Sequence, residues 1–182
     1  MIVIGRAMTV LEADVFHNSA SHASDLTAKP FGLMLEALDD LKSGEVYVCS
    51  GASPDYALWG ELMSVRASHL GAVGAVVNGY SRDTRGILKL NFPTFSYGPF
   101  AQDQAPRGKV VDFRVPIKMG GTTIQTGDII FGDIDGACVV PAAAVEDVFT
   151  QALEKARGEK TVRQAIENGM SAVDACAKYQ IM

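Results

Sequence analysis

Short runs rich in valine, isoleucine and glycine alternate along this chain with segments of helical period. That alternation limits the fold more than any other feature. Strands spaced by amphipathic helices pack as an α/β architecture, because each helix buries one stripe against a sheet. Ile2 to Val10 reads as a strand, and the polar stretch His17 to Lys29 as a loop. Phe31, Met34, Leu35, Leu38 and Leu41 recur at helical spacing, and Gly44 stands where a helix would stop. Glu45 to Ser50 is a short buried strand followed by the turn-forming Gly51-Ala52-Ser53-Pro54-Asp55. A second helix is expected from Gly60 to Leu70 with Gly71 at its C′ position, then a strand from Ala72 to Val77.

Beyond Asn78-Gly79 and a short strand at Thr94 to Tyr97, the pattern becomes more purely β. Val111, Phe113 and Val115 alternate, and Gly120-Gly121 makes a turn. Ile129 to Phe131 and Cys138 to Val140 are apolar runs expected to be buried, with a strong hairpin signal in Asp135-Gly136 between them. From Ala142 onward the chain reads as helix with a break near Gly169. This order does not describe a regular doubly wound fold. The 182 residues, 48% of them hydrophobic, suit a single domain over 1–182.

Several function classes are disfavoured. Sixteen basic residues against 21 acidic ones give a net charge of −5, poorly suited to direct nucleic-acid binding, which needs basic patches to displace counterions. No apolar run approaches the roughly 20 residues that cross a bilayer. Cys49, Cys138 and Cys176 form no close pair, so a reduced, cytoplasmic protein is expected. Asp133-Ile134-Asp135-Gly136 opens like a calcium loop but lacks the later acidic ligand, and reads as a turn. His17, His22 and His69 have no metal-binding spacing. A nucleotide fingerprint, a phosphate-loop lysine and a GxSxG elbow are missing from the sequence.

Two segments carry candidate chemistry. Gly60 precedes a helix whose first amides have no internal partner, so a carboxylate could accept from Leu62 and Met63. An ordinary helix start with Trp59 in the core would use the same residues. Arg82-Asp83 follows a strand and a tight turn, where α/β proteins place ligands. One side chain could grip a carboxylate while the other holds a hard cation, although a surface ion pair has the same spacing.

Taken together, three ordered blocks resemble the RraA-like proteins. They are Gly60-Glu61-Leu62-Met63, then Gly71-Ala72-Val73-Gly74-Ala75-Val76-Val77-Asn78-Gly79-Tyr80-Ser81-Arg82-Asp83, then Gly127 to Gly136. That family includes class II pyruvate aldolases, carbon–carbon lyases acting on 4-hydroxy-4-methyl-2-oxoglutarate and 4-carboxy-4-hydroxy-2-oxoadipate. It also includes the regulator that inhibits RNase E. The resemblance implies an α-β-β-α sandwich of the swivelling phosphohistidine-domain type, assembled as homotrimers or hexamers with sites between subunits. Members commonly carry some tens of residues ahead of the strand that matches Ile2 to Val10, so the resemblance leaves open a shortened form, a mis-assigned start or a variant without the leading helical segment.

The roles implied by the resemblance fall on matching positions. Gly60, Glu61, Leu62 and Met63 correspond to the loop that holds the pyruvate carboxylate. Arg82 corresponds to the arginine on the pyruvyl oxygens, and Asp83 to the metal ligand for Mg2+ or Mn2+. Glu61 stands where members often have Asp, thought to orient a metal-bound water. Glu159, through a loose Glu-x-x-x-Arg pattern with Arg163, corresponds to a glutamate supplied by a neighbouring subunit. The implied reaction cleaves a 4-hydroxy-2-oxo acid to pyruvate, and the same electron sink would decarboxylate oxaloacetate. The other reading is a non-catalytic regulator of an RNA-processing enzyme. Regulator-type members lack the aspartate after the arginine, so Arg82-Asp83 favours the enzyme.

Overall fold

The computed structural model describes residues 1–15 and 29–181, arranged as two compact units, Met1–Pro141 and Ala142–Met182. The expected loop His17 to Lys29, with His17 and His22, lies almost entirely outside the described residues.

The first unit is built on β1 (Val3–Asp14). One side of this strand pairs in parallel with β2 (Glu45–Ser50). The other side pairs antiparallel with β10 (Ile129–Asp133) at Val3 to Arg6, and with β7 (Gly108–Phe113) from Val10 onward. Outward from β2 run β4 (Gly74–Val77) and β6 (Thr94–Phe95), both parallel. Beyond β10 lies β11 (Gly136–Val140), joined by the hairpin expected at Asp135-Gly136.

Parallel strands need crossovers, and helices supply them. These are α1 (Met34–Asp39) ahead of β2, α2 (Glu61–His69) between β2 and β4, and α3 (Thr84–Leu90) between β4 and β6. Met8, Val10, Tyr47, Cys49, Ala75 and Val77 face the helical layer. The alternate residues Ala7, Val46, Val48 and Val76 form a second core with Ile117 and Ile124. Those two come from the hairpin β8 (Ile117–Met119) and β9 (Thr122–Ile124), which turns at Gly120-Gly121. Burial on both faces explains why β2 is a continuous apolar run rather than an alternating one. The fold is the expected α/β type.

Three local expectations change. The helix sought over Phe31 to Leu41 shortens to α1, because Phe31 and Leu33 spend their backbone groups on Val110 of β7. Phe131 and Cys138, register partners across β10 and β11 and expected to be buried, are exposed where this hairpin forms the edge of the sheet. Helix α3 was not expected.

The second unit contains α4 (Val145–Glu167) and α5 (Ala172–Tyr179), broken at Gly169, where φ is +94°. Ser171 caps α5 by accepting from the Asp174 amide at 3.1 Å. Among the described residues no helix is long and apolar enough to cross a membrane.

Candidate active site

The site is assembled by a two-stranded parallel sheet, β3 (Ala57–Trp59) with β5 (Tyr80–Ser81). The Arg82 amide extends this pairing by donating to the Trp59 carbonyl at 2.8 Å. Gly60 therefore lies directly against Arg82-Asp83. A Cβ on Gly60 would sit 3.0 Å from Asp83 Oδ2 and 3.5 Å from Arg82 Cγ, so only glycine leaves this approach relaxed. Trp59 is buried, with Tyr47 and Phe92 against its ring. Its Nε1–H donates to Ser64 Oγ at 2.7 Å, and Ser64 Oγ–H donates to the Gly60 carbonyl at 3.1 Å. This relay fixes the first turn of α2.

Asp83 takes the left-handed backbone conformation, φ 58° and ψ 31°, at the start of α3. Non-glycine residues seldom adopt it, and Asp is among those that tolerate it. Its carbonyl accepts from Gly86 and Ile87, while its carboxylate turns back toward the Glu61 amide, 3.4 Å from Oδ2. Arg82 reaches the other way, to Asp103 Oδ1 at 3.5 Å. Asp103 and Gln104 arrive on a segment tied to β3 by the Ala57 amide, which donates to Gln102.

Arg82, Asp83, Asp103 and Gln104 form the polar end of a cavity of about 410 Å3. Gly60, Leu62 and Met63 line it as well. The first amides of α2 lie in its wall, without intrahelical acceptors. The Glu61 side chain runs instead toward α3, where its carboxyl end rests over Gly86 in the space a Cβ there would fill. Glu159 lies in the second unit, on α4, with Lys155 one turn away at 3.9 Å. Arg163 pairs with Glu167 rather than Glu159.

Among the described residues no three His, Cys, Asp or Glu groups gather as a ready metal cage. Asp83 and Asp103 both bring carboxylate oxygens to the cavity; Asp103 is paired with Arg82, and no described Lys or Arg pairs with Asp83. One carboxylate suits Mg2+, which keeps several waters and takes further oxygens from a substrate.

Sequence reading missed Asp103, Gln104 and Glu12. Glu12, on β1, is 3% exposed, and its Oε1 accepts from Gln104 Nε2 at 2.5 Å. Burial pushes its carboxyl up to about 8, with nearby Asp14 adding to the rise and the Gln104 bond opposing it. Asp14 itself is driven up by burial, but the Ser53 amide and Tyr56 hydroxyl outweigh that and hold it below the usual range. Glu12 lies two residues beyond the end of the strand expected at Val10, so no local pattern marked it.

Comparison with known proteins gives the setting. A family model described as RraA-like, Aldolase/RraA, matches residues 1–139. A Halalkalibacterium halodurans protein provisionally named a 4-hydroxy-4-methyl-2-oxoglutarate aldolase is 33% identical over 149 residues, covering 81% of this chain and 70% of its own. The crystal structure of an uncharacterized protein from Pseudomonas syringae pv. tomato has a TM-score of 0.80 at 29% identity, covering 96% of this chain and 78% of that one. A Streptomyces coelicolor structure, described as an unusual member of the RNase ES inhibitor RraA family, has a TM-score of 0.75 at 22% identity. It covers 90% of this chain and 77% of its own, and at that identity the likeness speaks for the fold alone.

Proposed function

This chain belongs to the RraA-like family, and we propose that it is a divalent-metal-dependent aldolase that cleaves a 4-hydroxy-2-oxo acid to pyruvate, with oxaloacetate decarboxylation as a side activity. The observation that carries this reading is the meeting of Arg82, Asp83 and the first turn of α2 at one end of a single cavity.

The substrate carboxylate accepts from the Leu62 and Met63 amides, and Gly60 lets Arg82 and Asp83 approach the same helix start. Arg82 is oriented by Asp103 and presents its guanidinium to the 2-oxo oxygen, where negative charge develops as the C3–C4 bond breaks. Asp83 would hold Mg2+ or Mn2+, and a bound ion supplies Lewis-acid polarisation of the 2-oxo group. Glu61, whose carboxyl rests over Gly86 beside Asp83, would accept the C4 hydroxyl proton through one water, and that proton returns to C3. Among the described residues no lysine lines the cavity, so an imine route has no amine there. In a homotrimer or hexamer, Glu159 of one copy would complete the site of another.

The test follows pyruvate release from oxaloacetate and from a 4-hydroxy-2-oxo acid by chelator-stripped protein, with and without added Mg2+ or Mn2+. Turnover above the metal-only background is expected only when both are present. Arg82→Ala should lower kcat by about 10²–10³-fold. Asp83→Asn should lose the metal-dependent turnover with its melting temperature kept. Full turnover by Asp83→Asn, or equal turnover after chelation, overturns the assignment.

A further inference from the structure

The Arg82 guanidinium is not fixed by its own packing. Its side chain and that of its partner Asp103 are 40% and 46% exposed. Residues 101–103 form no helix or strand, so the place of Asp103 is set by what holds its neighbours. The Gln102 carbonyl accepts from the Ala57 amide at 2.9 Å. The Asp103 carbonyl accepts from the Arg107 guanidinium at 3.2 Å, and the Gln104 carbonyl from the Arg107 and Gly108 amides at 2.6 and 3.0 Å. The Gln104 side chain then ties this turn to the interior of β1. It is 4% exposed, and its Nε2 donates at 2.5 Å to Oε1 of Glu12, itself 3% exposed. Water barely reaches this bond, so breaking it leaves a buried donor without a partner.

A fixed positive charge lowers the barrier only if it is already aimed where charge develops. Resting on the aldolase reading above, we propose that Glu12 is a positioning residue for the reaction: through Gln104 it holds Asp103, and through Asp103 it aims Arg82. Glu12 itself lies outside the cavity lining, whereas Gln104, Asp103 and Arg82 belong to it. The tie uses the neutral acid. Around Glu12 stand Asp14 on its own strand, Tyr47 and Cys49 on β2, Tyr56 ahead of β3, and Lys109 on β7, the register partner of Ala13. Asp14 is held below its usual range, and burial pushes Tyr47, Cys49 and Tyr56 up. Among these acids Glu12 is the one that changes charge near pH 8. Once ionised it must draw in water or turn outward, because a bare carboxylate is strongly disfavoured in that site, and either movement releases Gln104.

The experiment measures kcat and KM for oxaloacetate and a 4-hydroxy-2-oxo acid, using the full chain with Mg2+. Glu12→Met keeps the bulk of the side chain and removes the acceptor. It should lower kcat by about ten- to a hundredfold, the scale of a misplaced catalytic group, and so should Gln104→Met. KM should change far less, because the aimed charge acts on the transition state. Glu12→Gln supplies an acceptor again and should restore most of the lost kcat. Asp103→Asn removes the charge that engages Arg82 and should lower kcat on its own. Adding Glu12→Met to it should cost nothing further, whereas a defect spread through the fold would multiply the two losses. The wild-type kcat should also fall above about pH 8, where the Glu12→Gln profile stays level.

Wild-type kcat in Glu12→Met overturns the proposal, as do multiplied losses in the double variant or the same alkaline fall in wild type and Glu12→Gln. If Glu12→Met does not fold, the pH profiles of wild type and Glu12→Gln decide between the outcomes. Each of these failures, seen with a wild type that turns over, overturns the role of Glu12 alone. No metal-dependent turnover of any acid by the wild type overturns both this role and the aldolase reading.

Discussion

Glu12→Gln tests the buried carboxyl that supports the cavity from behind. Glu12 stays protonated in the fold up to about pH 8, against an ordinary 4.5, because burial penalises its ionised form. In the unfolded chain it ionises near 4.5. Between those values the unfolded state releases a proton that the folded state keeps, so stability falls as pH rises, by about 1.4 kcal/mol per pH unit. From 4.5 to about 8 the loss reaches roughly 5 kcal/mol, with no further loss from this group above that pH. A glutamine has the shape of the neutral acid and keeps an acceptor for Gln104 Nε2, yet cannot ionise. Urea unfolding of both proteins from pH 5 to pH 9 isolates the term, because every other group is common to both. The variant should gain on the wild type steadily, from a small difference at pH 5 to several kcal/mol near pH 8.5. Parallel stability curves would refute a carboxyl held neutral by burial. The buried Tyr47 and Cys49 both feel the charge that appears on Glu12, so their titration should move in the same comparison.

Two further substitutions probe how the site is held. Ser64→Ala removes the acceptor of the buried Trp59 Nε1–H and should cost about 1–3 kcal/mol in urea unfolding, with a shift in tryptophan emission; unchanged stability and emission would show the relay to be idle. Gly86→Ala, inside α3, should gain up to about 1 kcal/mol of helix stability while its new methyl displaces the Glu61 carboxyl. Thermal unfolding should therefore hold or improve while kcat falls by about 10²-fold; an unaltered kcat would remove Glu61 from the proton path.

The sequence by itself determined much of this protein. The apolar runs at Val46 to Cys49 and Gly74 to Val77, the hairpin at Asp135-Gly136, and the break at Gly169 are set by periods of two to four residues and by turn chemistry. Gly60, Arg82 and Asp83 could be singled out because a glycine before a helix and a charged pair after a strand are local patterns. Helix α3 was hidden, since Thr84 to Leu90 is short and contains Gly86, a poor helix former stabilised only by packing. Tertiary structure alone decided what these residues face. Parallel pairing of β3 with β5 puts the Trp59 carbonyl on the Arg82 amide, and α1 brings Met34 and Leu38 to the same cavity. Glu12 and Gln104 meet across 92 residues of chain. The polarity of a cavity and the ionisation of a buried acid are sums over neighbours remote in sequence. A local pattern specifies which groups are available, and only the packed fold sets their surroundings.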